Sequence, residues 1–202
     1  MKPLEAPDNS VDPRTRARWR AWLAKNHARE EGIWLVTGKK AARTKRLGYD
    51  DAVEEALCFG WIDSRERSLD DERTMIWMSP RKAKSNWSRS NKDRVERLAA
   101  QGLMAAPGLA AIEAAKQLGT WSALDKVDAL EIPADLARAL RAAEGYENFN
   151  AFSAGSRRNV LAWIESAKKP ETRAKRIAET ARLAAMNIRV HDFITMARTR
   201  RG

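Results

Sequence analysis

Cysteine and histidine are almost missing from this sequence: it holds one of the first and two of the second. A single cysteine, Cys58, admits no intrachain disulfide, and a reducing compartment is the expected setting. Cys58 with two distant histidines, His27 and His191, supplies no recognisable ligand set, so no metal site is expected. Neither a phosphate-cradling glycine loop nor a dinucleotide fingerprint occurs, and no cofactor is expected. The longest apolar runs, such as LAWI at 161–164, fall far short of the roughly 20 residues that span a bilayer. The opening MKPLEAPDNSVDP has one lysine and no apolar core, so no secretory signal is read and the cytoplasm is the expected location.

What is present points to a folded globule. The 202 residues are 44% hydrophobic with eight tryptophans, and a chain of this length removes roughly 70% of its unfolded surface from water. Lysine and arginine total 38 against 27 acids, a net charge of +11. That surplus attracts polyanions such as nucleic acid or anionic lipid and says nothing about fold. Arginine-rich, alanine-rich chains are also often simply basic.

The apolar pattern sets out the elements. Residues 1–11 read as a loose leader. Asp12 reads as an N-cap with Pro13 at the first helical position, and Trp19, Trp22 and Leu23 recur at helical spacing. Ile33 to Thr37 is a β-branched and aromatic run bounded by glycines, a buried strand. Lys39 to Arg46 reads as a solvated loop. Tyr49 to Cys58 is a helix capped by Asp50, with Gly60 placed to end it in the left-handed region. Trp61 to Arg67 and Thr74 to Ser79 form a hairpin around a polar turn. From Ser85 the chain is helical: Trp87, Val95 and Leu98 share a face, Gly102 stops that helix and Pro107 starts another. Residues 119–132 form a linker anchored by Trp121. Pro133 opens a second helical region, in which Ser156 caps a helix carrying Val160, Trp163, Ile164 and Ala167. Pro170 begins the last long helix, and the tail after Asn187 is expected to fray. The expected architecture is α+β: a small, partly antiparallel three-stranded sheet with packed helices over 12–122, then a helical segment at 133–187 packed on it.

Chemistry concentrates in 58–91. The hairpin brings Asp63 and Arg81 into one neighbourhood, beside the start of the following helix. Helix N-termini offer free backbone N–H groups and a positive dipole end, and a buried amide such as Asn91 must find partners. A small polar pocket of Trp61, Asp63, Arg81, Ser85, Trp87 and Asn91 is therefore the candidate ligand site. Against it stands the plain alternative that an Asp–Arg pair, a serine cap and an asparagine merely close the fold. Cys58 reads as a small buried apolar residue, since a helix C-terminus raises a thiol pKa. Residues 81–97 hold seven basic and two acidic residues around an aromatic, a pattern shared by nucleic-acid contact helices and by solvated helix faces.

Several strings taken together carry a resemblance. YDDAVEEALCFGWIDS (49–64), LDDER (69–73), SPRKAKSNWSRSN (79–91), GLMAAPGLAAIEAAKQLGTW (102–121) and SAGSRRNVLAWIESAKKPETRAKRI (153–177) closely resemble the YdeI/OmpD-associated family, also known as bacteriocin-protection proteins. The family's shared motif maps onto Glu55, Cys58, Gly60, Trp61, Asp63, Pro80, Arg81, Ser85, Trp87, Ser88 and Asn91. Ser64 stands where glycine is common, and Trp77-Met78 replaces a more usual Arg-aromatic pair. The resemblance implies a small cytosolic bacterial protein linked to tolerance of antimicrobial peptides, bacteriocins or stress, and brings no agreed biochemical activity with it. Three readings stand: a tolerance protein binding an anionic small molecule or partner at 61–91; an enzyme acting on an anionic substrate, with Asp63 as acid–base group and Arg81 as clamp; and a nucleic-acid-associated basic protein.

Overall fold

The computed structural model describes residues 6–190. The chain divides into two compact units between Ala123 and Leu124.

The first unit is built on a mixed sheet of β1 (Ser10–Val11), β2 (Ile33–Gly38), β3 (Trp61–Ser68) and β4 (Arg73–Pro80), in the order β1-β2-β4-β3. The expected hairpin is β3–β4, and β4 also pairs antiparallel with β2. Among the described residues the sheet has four strands where three were expected. The fourth lies in the presumed leader: Ser10 and Val11 run parallel to β2, opposite Trp34 and Leu35. Two residues cannot display an alternation, and their partner lies more than twenty positions away, so no local pattern announces this strand.

Alternation along the strands makes two unlike faces. Ile33 and Leu35, Ile76 and Met78, and Trp61 join Trp19, Leu23, Val53, Leu57, Trp87, Val95 and Leu98 in the main core. Trp34, Val36, Met75 and Leu69 form a small cluster on the other side, with Trp77 packed against it. Trp34 and Trp77 meet edge to face at 5.3 Å, and the guanidinium groups of Arg65 and Arg67 lie over these rings.

Among the described residues the unit also holds the helices α1 (Arg16–Asn26), α2 (Tyr49–Cys58), α3 (Arg89–Ala100) and α4 (Ala106–Gln117). Their starts differ from expectation. Thr15 caps α1 by accepting from the Arg18 N–H, because Arg14 takes a positive φ of 62° and no helix can run through it. Asp12 instead holds Arg46 at 2.8 Å. Gly48 precedes α2, and Asp50 sits inside its first turn instead of capping it. Ser88, and not Ser85, caps α3, since the Trp87 N–H is drawn to the Thr120 carbonyl at 3.3 Å and its backbone stays out of the helix. Gly60 does take the left-handed conformation, φ 75°. Gly108 has a different duty: a Cβ there would fall on the Cys58 carbonyl oxygen, so α4 crosses the end of α2 at a residue without a side chain.

The second unit is helical throughout its described residues: α5 (Asp125–Asp128), α6 (Ala134–Ala142), α7 (Tyr146–Ala151), α8 (Ala154–Glu165) and α9 (Pro170–Ala185). Leu136, Leu140, Phe149, Val160, Leu161, Ile164, Ile177 and Leu183 make its core. Ser153, three residues before the expected Ser156, caps α8, and Pro170 opens α9 as expected. The end of the tail, 191–202, lies outside the described residues. No helix among the described residues is long and apolar enough to cross a membrane.

Candidate functional site

The β3–β4 hairpin sets the geometry. Gly60 turns the chain from α2 into β3, and Trp61 enters the core with no exposed surface. Its indole N–H donates to the His27 carbonyl at 2.9 Å, and its ring meets Trp22 edge-on at 5.7 Å. Trp61 is therefore a wall whose one polar atom is occupied. Asp63 follows on the same side of the strand, half-buried, opposite Met78 and just before a register irregularity that ends at Glu66. Tyr49, the first residue of α2, donates its hydroxyl to the Asp63 carboxylate at 2.8 Å. Burial, aided by that bond, pushes the Tyr49 phenol up to about 12, so it remains a donor at neutral pH.

Arg81 leaves the other strand. Its backbone N–H donates to the Gly60 carbonyl at 2.9 Å, which ties it to the start of β3. The guanidinium lies 3.8 Å from the centre of the Trp87 ring and donates from Nη2 to the Asn86 carbonyl. Nε and Nη1 are shut off from solvent and have no acceptor. Burial pulls this group down to about 10, while the charge of Asp63 acts in the opposite direction. Asp63 and Arg81 thus sense one another, yet the carboxylate's hydrogen bond goes to Tyr49. A buried N–H without an acceptor costs about 1–3 kcal/mol.

The remaining expected residues divide. Trp87 is buried between the Arg81 guanidinium and Trp121, whose ring centre is 5.0 Å away. Asn91 belongs to the neighbouring helix: its N–H bonds the Ser88 hydroxyl, and its side-chain oxygen accepts from Arg94 at 3.4 Å. Arg94 in turn reaches Asp50 at 3.0 Å. Ser85 lies in a turn, its N–H on the Lys82 carbonyl, and does not begin the helix. Asp63, Arg81 and Trp87 come together, Asn91 flanks them through Arg94, and Trp61 backs them from the core.

Tyr49 and Arg94 were not among the residues expected at this site. A Tyr-Asp-Asp helix start gave some signal, but nothing local tells that its phenol meets a strand fourteen residues on. A second polar assembly was also missed. Arg16 of α1 contacts Asp51, Glu54 and Glu55 at 2.7, 3.1 and 2.6 Å, and Arg20 takes the other Glu55 oxygen at 2.7 Å. Arg97 of α3 holds the second oxygen of Glu54 at 2.6 Å. The spacing of Arg16 and Arg20, four apart and off the apolar stripe, was the available clue.

The basic stretch 81–97 is partly consumed inside the chain. Arg81 lies on Trp87, Lys92 approaches Trp121 at 5.5 Å, and Arg94 and Arg97 pair with α2 carboxylates. Cys58 is fully buried, and burial raises its thiol pKa while Arg20 opposes the shift. No group of three or more metal-ligating side chains occurs among the described residues.

Residues 11–111 match the family model described as Domain of unknown function (DUF8412), and residues 129–187 match that described as Bacteriocin-protection, YdeI or OmpD-Associated. The chain belongs to the first family and carries the domain of the second. The string at 153–177 lies inside the bacteriocin-protection domain, across α8 and the start of α9. The strings at 49–64 and 79–91, with Asp63, Arg81 and Trp87, lie inside the DUF8412 match. Neither a curated protein nor a solved structure matches the chain.

Proposed function

We propose that the protein binds an anionic small molecule at the corner formed by Tyr49, Asp63, Arg81 and Trp87, and that this binding serves tolerance of bacteriocins in the cytoplasm. The observation that carries the binding half is Arg81, a shielded guanidinium with two nitrogens that lack an acceptor. Guanidinium groups have five donors and no acceptor, and burying such a charge unpaired is costly. An oxyanion that reaches this corner after a small side-chain shift would satisfy those donors, with Trp87 holding the guanidinium plane. Asp63, held by Tyr49, would favour ligands that present a hydrogen-bond donor beside the anionic group. The tolerance half is supported by the match to the second family alone.

A thermal-shift series with sulfate, phosphate and small carboxylates at constant ionic strength tests the binding half. An anion at 100 times its Kd should add about 2.7 kcal/mol to stability. If every anion behaves as chloride does, the reading fails. For the tolerance half, loss of the gene should sensitise its host to a bacteriocin, and unchanged sensitivity would remove it.

A further inference from the structure

Between the end of β2 and the start of α2, the first unit has a concave pocket of about 510 Å³, a volume inside the usual range of small-molecule sites, roughly 300–1,000 Å³. Lys39, Lys40, Arg43, Lys45 and Arg46 line it, five cations in eight consecutive residues that include no acid. Read from the sequence, this stretch is a solvated loop; folded, it closes around a concavity.

The charges on the two walls are not equally answered. On the loop side, Arg46 pairs with Asp12 at 2.8 Å, and Lys39 donates to the neutral Ser68 hydroxyl at 2.9 Å. Lys40, Arg43 and Lys45 have no carboxylate partner among the described residues. On the helix side, Asp50 and Asp51 also line the pocket, but Arg94 holds the first at 3.0 Å and Arg16 the second at 2.7 Å. Four cations with no counter-charge therefore surround a space whose acids are already engaged, and like charges held around one concavity raise its potential. The opening turn of α2 adds to this. Gly48, the residue before it, has no side chain with which to take up the first-turn N–H groups.

We propose that this pocket binds a phosphate-bearing small molecule with at least two negative charges. This rests on the reading of the first unit as an anion binder; Tyr49 lines both places, but the cations are different ones, so the two can fail separately. Multiple negative charge is required because several separate cations line the space, which a single carboxylate would leave mostly unmatched. A compact ligand fits better than a polynucleotide, since the cations line one pocket of about 510 Å³.

The test titrates inorganic pyrophosphate into the full chain at constant ionic strength, reading affinity by calorimetry. The exposed residues Lys40, Arg43 and Lys45 are changed together to alanine. The comparison variant is a charge-matched triple in the second unit, Lys168→Ala with Lys169→Ala and Lys175→Ala, and Arg81→Met is titrated beside it to separate this pocket from the Arg81 corner. The loop triple should weaken pyrophosphate binding by about tenfold or more, as lost charge-assisted contacts do, while the second-unit triple stays within about twofold. Backbone amide signals of residues 43–51 should shift on titration. The proposal is overturned if pyrophosphate does not bind, if the loop triple binds as tightly as the parent, or if the second-unit triple weakens binding equally. It is also overturned if a single-stranded oligonucleotide of short length outcompetes pyrophosphate at equal phosphate concentration. Loss of binding in Arg81→Met alone would overturn it too, while supporting the Arg81 corner.

Discussion

Arg16 and Arg20, on α1, face Glu54 and Glu55 with both oxygens of each carboxylate engaged once Arg97 is included. Arg81, just after β4, lies on an indole with two nitrogens lacking any acceptor, while Asp63, the carboxylate whose charge acts on it, is held by a phenol. The two regions use the same residue type, part-exposed in the first and more deeply buried in the second. In the first, every charge brought out of water meets its opposite, and the assembly locks α1, α2 and α3 together. In the second, the charge is shielded but not answered. Completeness of pairing, more than the presence of arginine, separates an assembly that holds the fold from one able to receive something else.

The comparison can be broken first at its closed end. Glu55→Ala removes the buried partner of both Arg16 and Arg20. Breaking such a pair from the buried side costs about 3–5 kcal/mol, and the part exposure of both arginines argues for the lower end. Urea unfolding would measure it, and a loss below about 1 kcal/mol would mean that the assembly does not hold the helices. Arg97→Ala tests the rim of the same region. Its side chain is 51% exposed and Glu54 keeps Arg16, so about 0.5–1 kcal/mol is expected in the same experiment.

The open end is sharpened by pH. The Tyr49 phenol is raised to about 12 by burial and the Asp63 bond, above its unfolded value of about 10. Its contribution to stability is therefore complete below about pH 10 and disappears as pH climbs through about 12, because the unfolded chain loses the proton first. Tyrosinate absorbance of the parent minus that of Tyr49→Phe should have its midpoint near 12. Asp63→Asn should move that midpoint down, and an unmoved midpoint would show that the Asp63 contact plays no part.

Much of this molecule is legible in its residues, and the failures share a cause. The β-branched and aromatic run from Ile33 and the run Thr74 to Met78 mark strands, and the short polar turn at 69–72 joins the hairpin that carries Asp63 and Arg81 together. The strand at Ser10 and Val11 was hidden because the strand it pairs with is remote in sequence. Three helix starts moved by three residues, Asp12 to Thr15, Ser85 to Ser88 and Ser156 to Ser153. In each case several cap-forming residues stand close together, and backbone demands elsewhere decide among them: the positive φ of Arg14 in one, the Trp87 contact with Thr120 in another. At the site, Arg81 and Trp87 were readable because they lie six residues apart on one connection. Tyr49 and the pocket beside the 39–46 loop were not, because their roles depend on where α2 starts relative to two strands.

Arg81→Met tests the central claim most directly, through unfolding free energy measured with and without the stabilising anion. Methionine keeps an apolar contact with Trp87 through its sulfur and removes a buried charge whose donors are unmet. Stability without the anion should stay within about 1 kcal/mol of the parent or rise, while the anion-dependent gain vanishes. A loss of about 2 kcal/mol or more without the anion, together with an unchanged anion-dependent gain, would show that Arg81 holds the fold and receives nothing.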